Sequence, residues 1–159
     1  MKILIVKASS LGDIIHAFPA LTYLRNKYPD ATIDWVIEKP FDALVKEHPA
    51  VNNTLTINTK TWRRSPLSYQ TFSALNSFRK ELRKKKYDVV FDLQGNTKSG
   101  VITFFANASA KVGFGNSTVA EGLNCLFTSQ QYNPPKGNNI RDDYLFLVQR
   151  YFNDEALVC

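Results

Sequence analysis

The chain has 159 residues with 20 Lys and Arg against 14 Asp and Glu, a net charge of +6, and is 44% hydrophobic and 21% charged. That length fits one domain with a real core, and the composition excludes disordered and fibrous classes. No apolar run approaches the roughly 20 residues of a membrane span, and the cation excess points to phosphates, anionic sugars or an anionic membrane surface as partners.

Ile3 to Val6 is a short, continuous apolar run rich in branched side chains, which predicts a strand buried on both faces. Ser9, Ser10, Gly12 and Asp13 follow as a small polar loop. Ile14, Ala17, Phe18, Leu21 and Leu24 then recur at helical spacing, so a helix is expected over 13–27, kinked or delayed by Pro19. Residues 32–37 predict a second strand, 41–47 a short helix closed by His48 and Pro49, and Leu55 with Ile57 a brief third strand.

Residues 58–68 read as a loop carrying Lys60, Trp62, Arg63 and Arg64. Two adjacent guanidinium groups beside an indole suit a phosphate or carboxylate with a sugar stacked nearby. The equal alternative is a solvated basic loop with one aromatic tucked into the core. Phe72, Leu75, Phe78 and Leu82 predict a helix over 69–85. It ends in a basic run up to Lys86 that complements the helix dipole; attraction of this run to anionic lipid is a second reading.

Residues 87–93 predict another buried strand, ending in a polar loop with Gln94, Gly95, Asn96, Lys98 and Ser99; 99–107 predict a helix and 111–115 a short strand. Residues 116–137 are weakly patterned, with Pro134, Pro135 and Gly137 as breakers, and 142–151 predict a last helix. The alternation predicts an α/β fold: a mostly parallel sheet, helices on both faces, and the runs at 3–6 and 89–92 as inner strands. Ligands of such sheets bind at the carboxyl ends of the strands. Ser9, Ser10, Gly12, Gln94 and Lys98 are therefore substrate-binding candidates. Asp13 stands at the mouth of the crevice, as a helix cap or as something more.

Several chemistries lack their motifs. There is no dinucleotide glycine fingerprint after the first strand, no Walker A motif and no nucleophile elbow. His16 lies three residues after Asp13 on a similar helical face, which permits a contact without requiring one. Cys125 and Cys159 are isolated, no His/Cys cluster suggests a metal, and no nucleic-acid-binding motif is present. The start of the chain lacks the features of a signal peptide, so a cytoplasmic protein without cofactor is expected.

The stretch from Val6 through Ser9, Ser10, Gly12, Asp13 and His16 to Pro19, Ala20 and Leu21 resembles the N-terminal signature of the bacterial lipopolysaccharide heptosyltransferases, their heptosyltransferase I branch in particular. The likeness continues at Asp34 to Glu38, at Trp62, Arg63 and Arg64, at Tyr87 and Asp88, at Asp92 to Gly95, and at Lys98 and Ser99. It implies the Rossmann-like N-terminal domain of a two-domain GT-B glycosyltransferase. In that family this half binds the acceptor, the Kdo-lipid A inner core, and a C-terminal half binds ADP-heptose.

The implied reaction is a metal-independent, inverting heptose transfer at the cytoplasmic face of the inner membrane. Asp13 is the implied general base. Arg63, Arg64 and more loosely Lys60 are the implied holders of acceptor phosphates or carboxylates. Two departures stand out. Family members often carry a histidine, an acid and an arginine near the last helix; Asn139 and Asp143 stand here in place of the histidine and the arginine, so no role is carried over. Family proteins are also roughly twice as long as this chain, beyond the ~100–200 residues of one domain. Residues 1–159 are thus expected to be one acceptor-binding domain, with the donor domain outside this chain and the fragment inactive alone. The rival expectations are a non-catalytic anion-binding α/β module and a related glycosyltransferase with another sugar or acceptor.

Overall fold

The apolar runs at 3–6 and 89–92 form the two central strands of a six-stranded sheet in the computed structural model, which describes residues 1–154. The strands are β1 (Lys2–Val6), β2 (Thr32–Glu38), β3 (Asn53–Ile57), β4 (Tyr87–Asp92), β5 (Ala108–Phe114) and β6 (Gln130–Tyr132). They lie in the order β3-β2-β1-β4-β5-β6, and every pairing is parallel. Ile3 sits between Ile33 and Val89, so apolar rows run straight across the sheet.

Among the described residues seven α-helices flank it: α1 (Leu11–His16), α2 (Phe18–Lys27), α3 (Asp42–Lys46), α4 (Thr59–Arg64), α5 (Tyr69–Arg83), α6 (Thr97–Phe105) and α7 (Ile140–Tyr151). Side chains alternate between faces along a strand. Ile3 and Ile5 therefore pack one way, onto Ile14, Leu21, Val45 and Leu147 from α1, α2, α3 and α7. Leu4 and Val6 pack the other way, with Leu82 of α5 and Ile102 of α6. Both faces are covered, which is why these strands are uniformly apolar.

Three expectations change. The helix over 13–27 is two helices meeting at Ala17, and it begins at Leu11. Pro19 occupies the first turn of α2, where a missing N–H costs nothing. The loop expected over 58–68 begins with α4. The Asn58 side chain accepts from the Thr61 N–H at 3.4 Å, and Trp62 packs inward on Phe78. Six residues are too few to show a helical period. The weakly patterned stretch holds a 3-10 turn (Gly122–Leu126) and the edge strand β6.

Candidate functional site

The strand order reverses direction between β1 and β4, so the loops leaving them diverge to opposite faces and open a crevice. The two loops are laced together at its floor. Gln94 Oε1 accepts from the N–H groups of Ala8 (3.1 Å) and Ser9 (3.3 Å), and the N–H of Leu93 donates to the Val6 carbonyl at 3.1 Å.

Asp13 is the third residue of α1, and Ser10 is the N-cap. The aspartate is therefore not the cap; it is the residue that reaches back to it. Its Oδ2 accepts from the Ser10 N–H (3.3 Å) and the Ser10 hydroxyl (3.0 Å), the reciprocal half of a capping box. The same Oδ2 lies 3.8 Å from Lys7 Nζ. All three interactions use one oxygen. Oδ1 has no hydrogen-bond partner among the described residues, and 42% of the side-chain area is open to solvent. In front of Gly12 the space is empty: an added Cβ would meet nothing within 4 Å.

Lys7 was not singled out by the sequence. It follows β1 directly, its side chain is only 3% exposed, and its ammonium lies 5.3 Å from the ring centre of Tyr144 on α7. Burial lowers its pKa; Asp13 and then Asp92 pull it back up. Tyr144 is buried too, and burial, with Asp13 and Asp143 nearby, raises its pKa. Asp143 keeps one buried carboxylate oxygen without a partner among the described residues, and burial raises its pKa.

Asp92 ends β4 fully buried. Its Oδ1 accepts from the N–H groups of Gln94 (3.1 Å) and Gly95 (3.0 Å), a turn that puts Gly95 at φ +72°. Its Oδ2 accepts from Ser99 Oγ (3.0 Å) and Asn124 Nδ2 (2.7 Å). Burial raises its pKa against these donors. Asp92 is a rivet for the second loop and stays out of the crevice.

The remaining candidates separate. Ser9 and Ser10 line the first loop. Lys98 pairs with Glu38 at 3.1 Å, and Glu38 also accepts from Thr59, so Lys98 ties α6 to the ends of β2 and β3. Lys60, Arg63 and Arg64 are exposed on α4 and have no carboxylate partner among the described residues. α4 leaves β3, two strands from β1 or about 10 Å along the sheet, and its Trp62 packs on the face opposite the one that α1 covers. Trp62 turns inward on this helix, away from stacking beside the arginines. His16 is exposed. Among the described residues no three His, Cys, Asp or Glu side chains cluster as a metal set.

The sheet order and the carboxylate-bearing crevice at its reversal point define a Rossmann-like α/β domain, the class found in GT-B glycosyltransferases. The sequence profile of glycosyltransferase family 9 (heptosyltransferase) matches residues 75–156, and the chain belongs to this family. Lipopolysaccharide heptosyltransferase 1 of Escherichia coli O18:K1:H7 is 34% identical over 136 residues, which are 86% of this chain and 42% of that protein. The solved structure of E. coli heptosyltransferase WaaC with ADP superposes with a TM-score of 0.93 at 31% identity, covering 100% of this chain and 50% of that one. WaaC with ADP-2-deoxy-2-fluoro heptose gives 0.94 with the same coverage. The chain thus spans half or less of the length of the relatives it matches.

Proposed function

We propose that residues 1–159 form the acceptor-binding half of a glycosyltransferase that moves heptose from ADP-heptose to the Kdo-lipid A inner core of lipopolysaccharide. The donor is held by a second domain outside this chain. An acceptor hydroxyl attacks the anomeric carbon from the face opposite ADP. The carbon–oxygen bond to the phosphate breaks, its electron pair leaves with ADP, and the configuration inverts. Asp13 takes the hydroxyl proton as general base. Lys60, Arg63 and Arg64 hold the acceptor's phosphates or carboxylates. The protein works peripherally at the cytoplasmic face of the inner membrane; among the described residues no helix is long and apolar enough to cross it.

The observation that carries this reading is a half-exposed Asp13 whose Oδ1 is unengaged, tethered through Oδ2 at the crevice of a family 9 domain. The unpartnered cations of α4 equally suit a non-catalytic anion-binding module. One assay separates the two. The full-length gene product, given ADP-heptose and Kdo-lipid A, is expected to yield the heptosylated product; acceptor binding without turnover would favour the module.

A further inference from the structure

α5 turns only part of its apolar surface to the sheet, Leu82 with Phe78 at its edge. Of its 15 residues only Thr71 and Leu82 are buried, while Phe72 is 69% and Leu75 44% exposed. Between α5 and α6 runs a groove of about 540 Å³ walled by Trp62, Phe72, Leu75, Phe78, Val101 and Phe105. Its walls are almost wholly apolar, and its volume is within the ~300–1,000 Å³ of small-ligand sites.

The charge around the groove is predominantly positive, with Glu38 paired to Lys98 at one end. α4, α5 and α6 carry seven lysines and arginines and a single acid, Glu81, which is paired with Lys84. The Arg79 guanidinium lies 5.2 Å from the ring centre of Phe105, at the lip. Lys98 and Thr59 line one end, so the groove opens at the same edge of the sheet as the crevice. A long apolar trough with a cationic rim is complementary to a molecule with an apolar tail and an anionic head.

We propose that this groove takes up an acyl chain of an anionic lipid, with the rim cations on its headgroup. This goes beyond the transfer reaction and does not depend on it, since lipid uptake is read without any sugar. Trp35 is fully buried in the sheet, whereas Trp62 is only partly buried at the groove wall. The full-length protein and its Trp62→Phe variant are mixed with phosphatidylglycerol/phosphatidylcholine vesicles whose phosphatidylglycerol is brominated along the chain. The expected result is quenching that is markedly smaller in Trp62→Phe, by the share that Trp62 contributes. Phosphatidylcholine vesicles alone should bind weakly.

The double variant Phe72→Ser/Leu75→Ser should weaken partitioning about tenfold or more. Its circular dichroism should match the wild type, because both side chains are exposed. Vesicle binding without Trp62 quenching would overturn the proposal, since contact would then be through charge alone. So would binding unchanged in the double variant. So would a dimer, seen by sedimentation, that the double variant breaks while lipid binding persists; the groove would then hold a second copy of the chain.

Discussion

Replacing Asp13 by Asn in the full-length protein separates the observed tether from the proposed general base. Oδ2 accepts from the Ser10 N–H and hydroxyl, and an amide oxygen can accept both, so the capping box survives. What is lost is a negative charge 3.8 Å from Lys7 Nζ. At an effective dielectric near 20 such a pair attracts by roughly 4 kcal/mol, but Asp13 is well solvated, and screening leaves on the order of 1 kcal/mol. Stability is therefore expected to fall by about 1 kcal/mol. A double-mutant cycle with Lys7→Met should return a coupling of that size. Catalysis should suffer far more. A general base contributes typically 10²–10⁴-fold, about 2.7–5.5 kcal/mol of barrier, and the amide cannot take a proton. The measurements are kcat in a coupled ADP-release assay and denaturant unfolding of the same samples. A kcat near the wild-type value, with the stability loss present, would reduce Asp13 to an anchor for α1 and a counter-charge for Lys7.

Four further outcomes are expected. Arg63→Ala with Arg64→Ala should weaken acceptor binding about ten- to a hundredfold by calorimetry, with the melting temperature nearly unchanged, because both are exposed; a large fall in melting temperature with unchanged affinity would make α4 structural. Asp92→Asn should destabilise by about 1–3 kcal/mol in urea unfolding, because an amide NH₂ there faces the donating Asn124 amide or the turn N–H groups; a more stable variant would mean that the cost of burying the charge dominates. Burial lowers the pKa of His48, whose Nδ1 accepts from the Ala50 N–H. Its contribution is thus intact above the ordinary value of 6.5 and is lost on acidification towards the folded value, so His48→Gln should flatten that part of the stability profile. Residues 1–159 alone should bind ADP-heptose weakly or not at all, because they carry no phosphate-cradling glycine motif; micromolar affinity would place the donor pocket here.

How much could be read in advance follows from how local each signal is. β1 and β4 were legible because strands covered on both faces have to be apolar at every position, and the covering helices announce themselves by their period. The site was legible in part. The loop carrying Ser9, Ser10, Gly12 and Asp13 is continuous in sequence, but a two-residue error in the start of α1 turned a capping-box aspartate into a cap. Lys7 gave no local sign. A lysine after a strand is ordinarily a solvated strand end, and this one is buried because α7 brings Tyr144 over it from far along the chain. Asp92 sat in a recognised stretch, yet its function as a rivet depends on Asn124, 32 residues away. Contacts of that separation have no periodicity to betray them.

As the proposed general base, Asp13 faces two opposing demands. A proton acceptor must be fixed within hydrogen-bond reach of its substrate, yet it must keep an oxygen free to accept. A cap in the ordinary sense spends its acceptor on the helix N–H groups. Shifting the aspartate to the third position and giving the cap to Ser10 divides the carboxylate. Oδ2 takes both Ser10 donors and faces Lys7, and Oδ1 is left without a hydrogen-bond partner among the described residues. Lys7 is held by burial beneath α7, so its charge cannot swing away as a surface lysine's would. The tether and the oxygen proposed to take the proton are thus different atoms of one side chain. That is why Asn, which preserves the tether, is the informative substitution, and why Ala, which removes both, would not discriminate.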